Sequence, residues 1–157
     1  MIPLSVAMLP PCTAAQIAVS TDARDGDFNG MSHSGTLLVL RNRGVRACRM
    51  VGLPQIGFLD AHGHAVPSAR NVPIGMHPGP VVLPVALARG ALASTPLRWV
   101  SGQVFNSGRC YSVRMVTVML AGRVLRAPLT AQLCAPSGKP AGFDQPVARQ
   151  GTDASAG

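Results

Sequence analysis

Apolar residues in this chain recur as short alternating runs, cut apart by 17 glycines and 14 prolines. That spacing is poor material for helices and suits strands joined by turns. The longest alternation runs from Tyr111 to Leu120 through Val113, Met115 and Val118. It turns at Ala121-Gly122-Arg123 and returns as Val124 to Leu129, a hairpin pattern. Ile17 to Thr21 alternates apolar with small polar residues, and Thr36 to Leu40 is an apolar run ending in the turn composition Arg41-Asn42-Arg43-Gly44. Ile56 to Leu59, Asp60-Ala61-His62-Gly63-His64 and Ala65-Val66 read as another hairpin. Val81 to Leu87 follows Pro78-Gly79-Pro80 as a further strand, and Leu97 to Val100 carries Trp99, the sole tryptophan, as a core anchor. The most helix-like stretch, Val85 to Ala93, is interrupted by Gly90. Beyond Ala135 the composition predicts a loosely held tail, with Phe143 to Ala148 docking as an edge strand. The expectation is an all-β chain of about seven to eight strands in an antiparallel β-sandwich. Its domain spans 12–149, after an N-terminal segment 1–11 and before a disordered tail 150–157.

At 157 residues there is room for one domain and one core. Cys12, Cys48, Cys110 and Cys134 are even in number, widely spaced and without a C-x-x-C pair, which predicts two structural disulfides. Four cysteines allow three connectivities. We favour Cys12 with Cys48 and Cys110 with Cys134, since each joins chain neighbours and staples a local β-segment. Such bridges imply an oxidising compartment, so the protein is expected to be secreted or periplasmic. Ile2 to Leu9 is too short for a full export signal and lacks a preceding basic residue, and reads as the remnant of a trimmed one. The residues before Cys12 do not form a lipidation signal. No apolar run reaches 18 residues, so no transmembrane segment is expected.

Charge adds one constraint. Fourteen basic residues, all arginine except Lys139, face six aspartates and no glutamate, for a net charge of +8. The arginines fall singly except for Arg41, Arg43, Arg46 and Arg49, and no aromatic residues interleave them. Sequence-specific nucleic-acid binding is therefore not expected, and at most a weak contact with an anionic surface is.

In order and spacing the chain resembles the bacterial family called domain of unknown function 4232. The residues that carry this are Cys12-Thr13-Ala14-Ala15-Gln16 before an alternating strand, Leu38-Val39-Leu40-Arg41-Asn42, Cys48, Gly52-Leu53-Pro54, Phe58-Leu59-Asp60 with Gly63, Pro78-Gly79, Trp99, Cys110 and Cys134. The resemblance covers Cys12 to about Cys134. It implies an immunoglobulin-like sandwich in exported proteins with no established activity and no catalytic residues to carry over. Leu53 stands where that family often has an aromatic residue.

Two constellations bear on chemistry. Asp25-Gly26-Asp27-Phe28-Asn29-Gly30 matches the first half of a calcium loop, but Thr36 replaces the bidentate Glu of its twelfth position, so a polar inter-strand loop is expected. Met31 with His33, His62 with His64, and Met76 with His77 are three soft or borderline donor pairs in expected loops, a plausible Cu(I) set. Ser34, His33 and Asp60 form no nucleophile motif. The expected function is an exported, non-enzymatic binding or structural module of the cell envelope, needing no cofactor and acting on a protein or other envelope partner. The alternative is a periplasmic copper-binding protein using the Met and His loops.

Overall fold

The computed structural model describes residues 4–72 and 81–151. Strands dominate it: β1 (Ile17–Asp22), β2 (His33–Asn42), β3 (Cys48–Met50), β4 (Ile56–Leu59), β5 (Ser68–Arg70), β6 (Val85–Leu87), β7 (Leu92–Val100), β8 (Arg109–Leu120), β9 (Arg123–Ala135), β10 (Ala141–Asp144) and β11 (Arg149–Gln150). One short helix, α1 (Leu4–Met8), precedes them, and single 3-10 turns lie at Ala14–Gln16 and Arg24–Gly26.

The largest sheet has the order β1-β2-β7-β10-β5, with β11 also pairing to β7, and only the β10–β5 contact is parallel. A second sheet, β4-β8-β9, is wholly antiparallel, and β3 pairs with β6. The first two sheets face each other across a shared core. Phe58 of β4 meets Trp99 of β7 edge-on at 6.0 Å and Phe143 of β10 at 5.2 Å. Around these rings pack small aliphatics such as Leu38, Leu40, Leu97, Val113, Val116 and Leu133, as an aromatic-poor chain requires.

Register assigns the ends of the molecule. Ile17 opposes Asn42, and Arg41 opposes Leu92, so the start of β1, the end of β2 and the start of β7 share one end. The β8–β9 turn joins them, because Arg123, Val124 and Leu125 line a cleft with Thr13, Ala14 and Ala15. The opposite end gathers the end of β1, the start of β2, and Val100 opposite His33. There Gln132 Nε2 donates to the Ser101 carbonyl at 2.9 Å and ties in β9.

The cysteines pair as chain neighbours, Cys12 with Cys48 and Cys110 with Cys134. The first bridge fastens the N-terminal segment to β3, where Pro11 also makes a parallel bridge with Arg49. The second joins directly opposed positions of β8 and β9. The β8–β9 turn has left-handed backbone at both Ala121 (φ 49°) and Gly122 (φ 76°), the twist that a two-residue hairpin requires.

Several expectations need correction. The described residues hold eleven strands rather than seven or eight, because Gly and Pro divide the connections into pieces of two or three paired residues. As expected, Gly90 (φ 79°) interrupts the stretch Val85 to Ala93, turning the chain between β6 and the start of β7. The predicted strand from Val81 shrinks to Val85–Leu87, and β9 runs on to Ala135. The chain after Ala135 is not loosely held: β10 lies between β7 and β5, an interior position, and Phe143 and Ala148 are buried. Phe143 inserted among Phe58 and Trp99 outweighs the Pro, Gly and Ser around it. β11 carries the sheet to Gln150, past the expected boundary at 149, and residues 152–157 lie outside the described residues.

Candidate functional site

The inward face of β2 reads Ser34, Thr36, Leu38, Leu40, Asn42, so it is polar at one end and apolar in the middle. Opposite Ser34 stands Trp99, and opposite Thr36 stands Leu97. The outer edges of the two facing sheets, β1 and β9, lie on the same side of the molecule. Thr21 bridges them, donating from Oγ1 to the Pro128 carbonyl at 2.9 Å. Between these edges lies an open groove of about 730 Å³, lined by Thr21, Asn29, Ser34, Thr36, Thr130 and Gln132, with Trp99 and Ser101 at its inner side. Among the described residues, no ionisable side chain lines it.

The groove's polar atoms are partly committed. Ser34 Oγ and Ser101 Oγ are 2.8 Å apart, and Gln132 holds the Ser101 carbonyl. Trp99 is 3% exposed, and its Nε1 has no hydrogen-bond partner among the described residues. A buried donor without a protein acceptor is uncommon, and is ordinarily met by an ordered water or a bound group. Gly35 is required at the groove floor, because a Cβ there would collide with the Leu97 carbonyl and with Phe28 Cβ.

Among the described residues, the Met31–His33 and His62–His64 donor pairs lie on separate connections, and neither lines this groove. Met31 is 92% exposed in the β1–β2 connection, and His33 Nδ1 lies 2.9 Å from the Met31 carbonyl oxygen. His62 and His64 sit in the connection between β4 and β5, inside a turn closed by the isolated Leu59–Ala65 bridge, with ring centroids 6.1 Å apart. Both donate backbone N–H groups to Asp60 Oδ1, at 2.8 and 2.9 Å. The His64 N–H, foremost, with that of His62 and the nearby imidazoles, holds the Asp60 carboxyl below its ordinary range against slight desolvation. Met76 and His77 lie outside the described residues. Among the described residues no three His, Cys, Asp or Glu side chains stand together as a metal-holding group. In the Asp25–Gly30 loop the carbonyls of Phe28 and Gly30 accept from the Arg98 guanidinium at 3.2 and 3.5 Å, so a cation of the chain's own occupies that side.

Sequence reasoning missed the groove. Its signal was available in the polar residues Ser34 and Thr36, which stand at inward positions of a strand whose later inward positions are Leu38 and Leu40. Recognising Thr130 and Gln132 as its other wall needed the facing of β9 towards β1, which is a long-range property.

Among the described residues no helix is long and apolar enough to cross a membrane. Two disulfides fit an oxidising environment. No curated protein and no solved structure matches the chain. A family model described as a domain of unknown function, DUF4232, matches residues 12–152, nearly the whole length, and the chain belongs to that family.

Proposed function

We propose that the protein is a secreted or periplasmic, non-enzymatic binding module whose groove between β1 and β9 receives an extended segment of an envelope polypeptide. The observation that carries this is the unpartnered Trp99 indole N–H beside a groove of hydroxyl and amide side chains. Edge strands accept an added extended chain through main-chain hydrogen bonds, and alternate side chains supply the selectivity. The Pro128 carbonyl, directed at Thr21 of β1, marks the outward side of the β9 edge. Pro128 itself lacks an N–H, which limits indiscriminate pairing along that strand. A groove without charged lining selects a neutral segment, since a charged side chain placed there would lose hydration without gaining a counter-ion. The two-layer frame keeps both edges in place, as an immunoglobulin-like binding domain would, and the Cys110–Cys134 bridge fastens β9 to β8.

Trp99 is the sole tryptophan, so its indole N–H resonance reports on the groove alone. Titration with a panel of neutral ten-residue peptides from envelope proteins should move that resonance for a subset of the panel. The exposed substitution Thr130→Arg should abolish the movement. An indole signal unmoved by the whole panel at millimolar concentration, or equal binding by Thr130→Arg, overturns the reading.

A further inference from the structure

The arginines that look scattered in sequence are gathered by the fold. Arg41, Arg43 and Arg46 belong to the end of β2 and the connection that follows it. Arg89 reaches the same place because Gly90 N–H donates to the Asn42 carbonyl at 2.8 Å and Arg41 donates to the Gly90 carbonyl at 2.8 Å. Gln16 and Asn42 both donate to the Arg46 carbonyl, at 3.3 and 2.8 Å, fixing the loop against the 3-10 turn that flanks Arg123. All five arginines are exposed. The acids lie elsewhere: Asp22, Asp25 and Asp27 follow the far end of β1, Asp60 tips the β4–β5 loop, and Asp144 opposes Arg98. Among the described residues this end therefore carries positive charge with no internal counter-charge.

Apolar side chains project from the same end. Val45, between Arg43 and Arg46, is 75% exposed, and Met8, at the end of α1, is 83% exposed. Arg49 holds the α1 segment here by donating its backbone N–H to the Pro10 carbonyl and its Nε to the Leu9 carbonyl, both at 2.9 Å. Because Pro11 pairs parallel to Arg49, the chain before Pro11 runs back towards the Arg46 side. We propose that this end is a docking surface for a bilayer carrying anionic headgroups, with Arg41, Arg43, Arg46, Arg89 and Arg123 on the phosphates and Val45 and Met8 entering the interface. An acidic polysaccharide would satisfy the arginines equally well, but it offers nothing to two protruding apolar side chains. Arginine suits the role, since its stem packs on apolar groups while the guanidinium bridges phosphate oxygens.

Vesicle sedimentation with the disulfide-intact full chain tests this. Binding to phosphatidylcholine vesicles containing phosphatidylglycerol should exceed binding to phosphatidylcholine alone, and should weaken as salt shortens the screening length. The triple variant Arg43→Gln, Arg46→Gln, Arg89→Gln alters side chains that make no hydrogen bonds among the described residues. It should reduce partitioning by about fivefold per arginine, roughly a hundredfold together. A control with the same net charge, Arg70→Gln, Arg109→Gln, Arg114→Gln, should bind nearly as the parent does, and Val45→Ser should weaken the binding that persists at high salt. Equal losses in the two triple variants would reduce the effect to net charge and overturn the proposal. So would retention on heparin without any preference for anionic vesicles, or indifference to Val45→Ser. Circular dichroism on each variant separates lost binding from lost fold.

Discussion

Asn42 is the most exacting test of how this fold is held, because one buried polar side chain joins three pieces of chain there. It is 0% exposed, and its Nδ2 donates to the Arg46 carbonyl at 2.8 Å and to the Leu87 carbonyl at 3.1 Å, while Oδ1 accepts from Gly44 N–H at 2.9 Å. The end of β2, the arginine loop and the end of β6 meet on that amide. Replacing it with alanine removes three hydrogen bonds of about 1 kcal/mol each. The expected loss is about 3 kcal/mol, a large share of the roughly 5 to 15 kcal/mol that holds a typical domain together.

Urea denaturation of Asn42→Ala should move the midpoint down by about 1.5 M at an m-value near 2 kcal/mol/M, leaving m unchanged. Asn42→Asp keeps the acceptor for Gly44 but replaces two donors with a buried charge, so at neutral pH it should be at least as damaging. Protonation at low pH should narrow its deficit, whereas that of Asn42→Ala should stay. A loss below about 1 kcal/mol for Asn42→Ala would refute the reasoning, because it would mean that water replaces the amide without penalty.

The remaining predictions are briefer. The bridges close separations of 36 and 24 residues, so in the chain-entropy model removing Cys12–Cys48 or Cys110–Cys134 by paired Cys→Ser changes should cost about 3.5 to 4 kcal/mol each. Denaturation midpoints measure this, and a gap above about 2 kcal/mol between the pairs would contradict the entropic account. The lowered Asp60 carboxyl makes a contribution that is complete above its unfolded value of 3.8 and lost as pH falls through the lower folded value. The stability gap between the parent and Asp60→Ala should therefore shrink as pH drops from about 5 to about 2, and a gap that widens would contradict the sign. Titration with Cu(I) decides the alternative reading: a copper function requires sub-micromolar binding lost when His62, His64 and Met76 are replaced, and the binding-module reading expects none.

Much of the fold was written in local patterns. The alternation from Tyr111 to Leu120 and the Ala121-Gly122 turn specify the β8–β9 hairpin, because side-chain period and turn twist are both local properties. Asp60 through His64 likewise closes the β4–β5 loop by hydrogen bonds within five residues. The segment from Phe143 was legible as an edge strand but β10 was not legible as an interior one, since Ala141-Gly142-Phe143-Asp144 has weak strand preference. It pairs only because Phe143 finds Phe58 and Trp99, whose sequence neighbours give no hint of it. Asn42 was legible as a turn-forming residue but not as a buried link to Leu87, 45 positions away. Ser34 and Thr36 could be seen to break an apolar face, yet nothing local placed Thr130 and Gln132 across from them.

Charge shows the same division between local pattern and long-range placement, and it has a consequence for how the molecule presents itself. Arg89 is 43 positions from Arg46, and Arg123 a further 34, so no window along the sequence sees them together. Register does, because β6 runs antiparallel to β3 and delivers Arg89 beside the loop that precedes Cys48. Ser101 and His33 mark the other end of β7 and β2, so the arginine end and the groove end are opposite ends of the same strands. An adsorbed molecule held by its arginines would thus direct the Trp99 groove away from the surface beneath it, and a partner could enter without competing with the headgroups. The six aspartates are too few to neutralise fourteen basic residues, and the fold places its described acids away from the end where their absence has most effect.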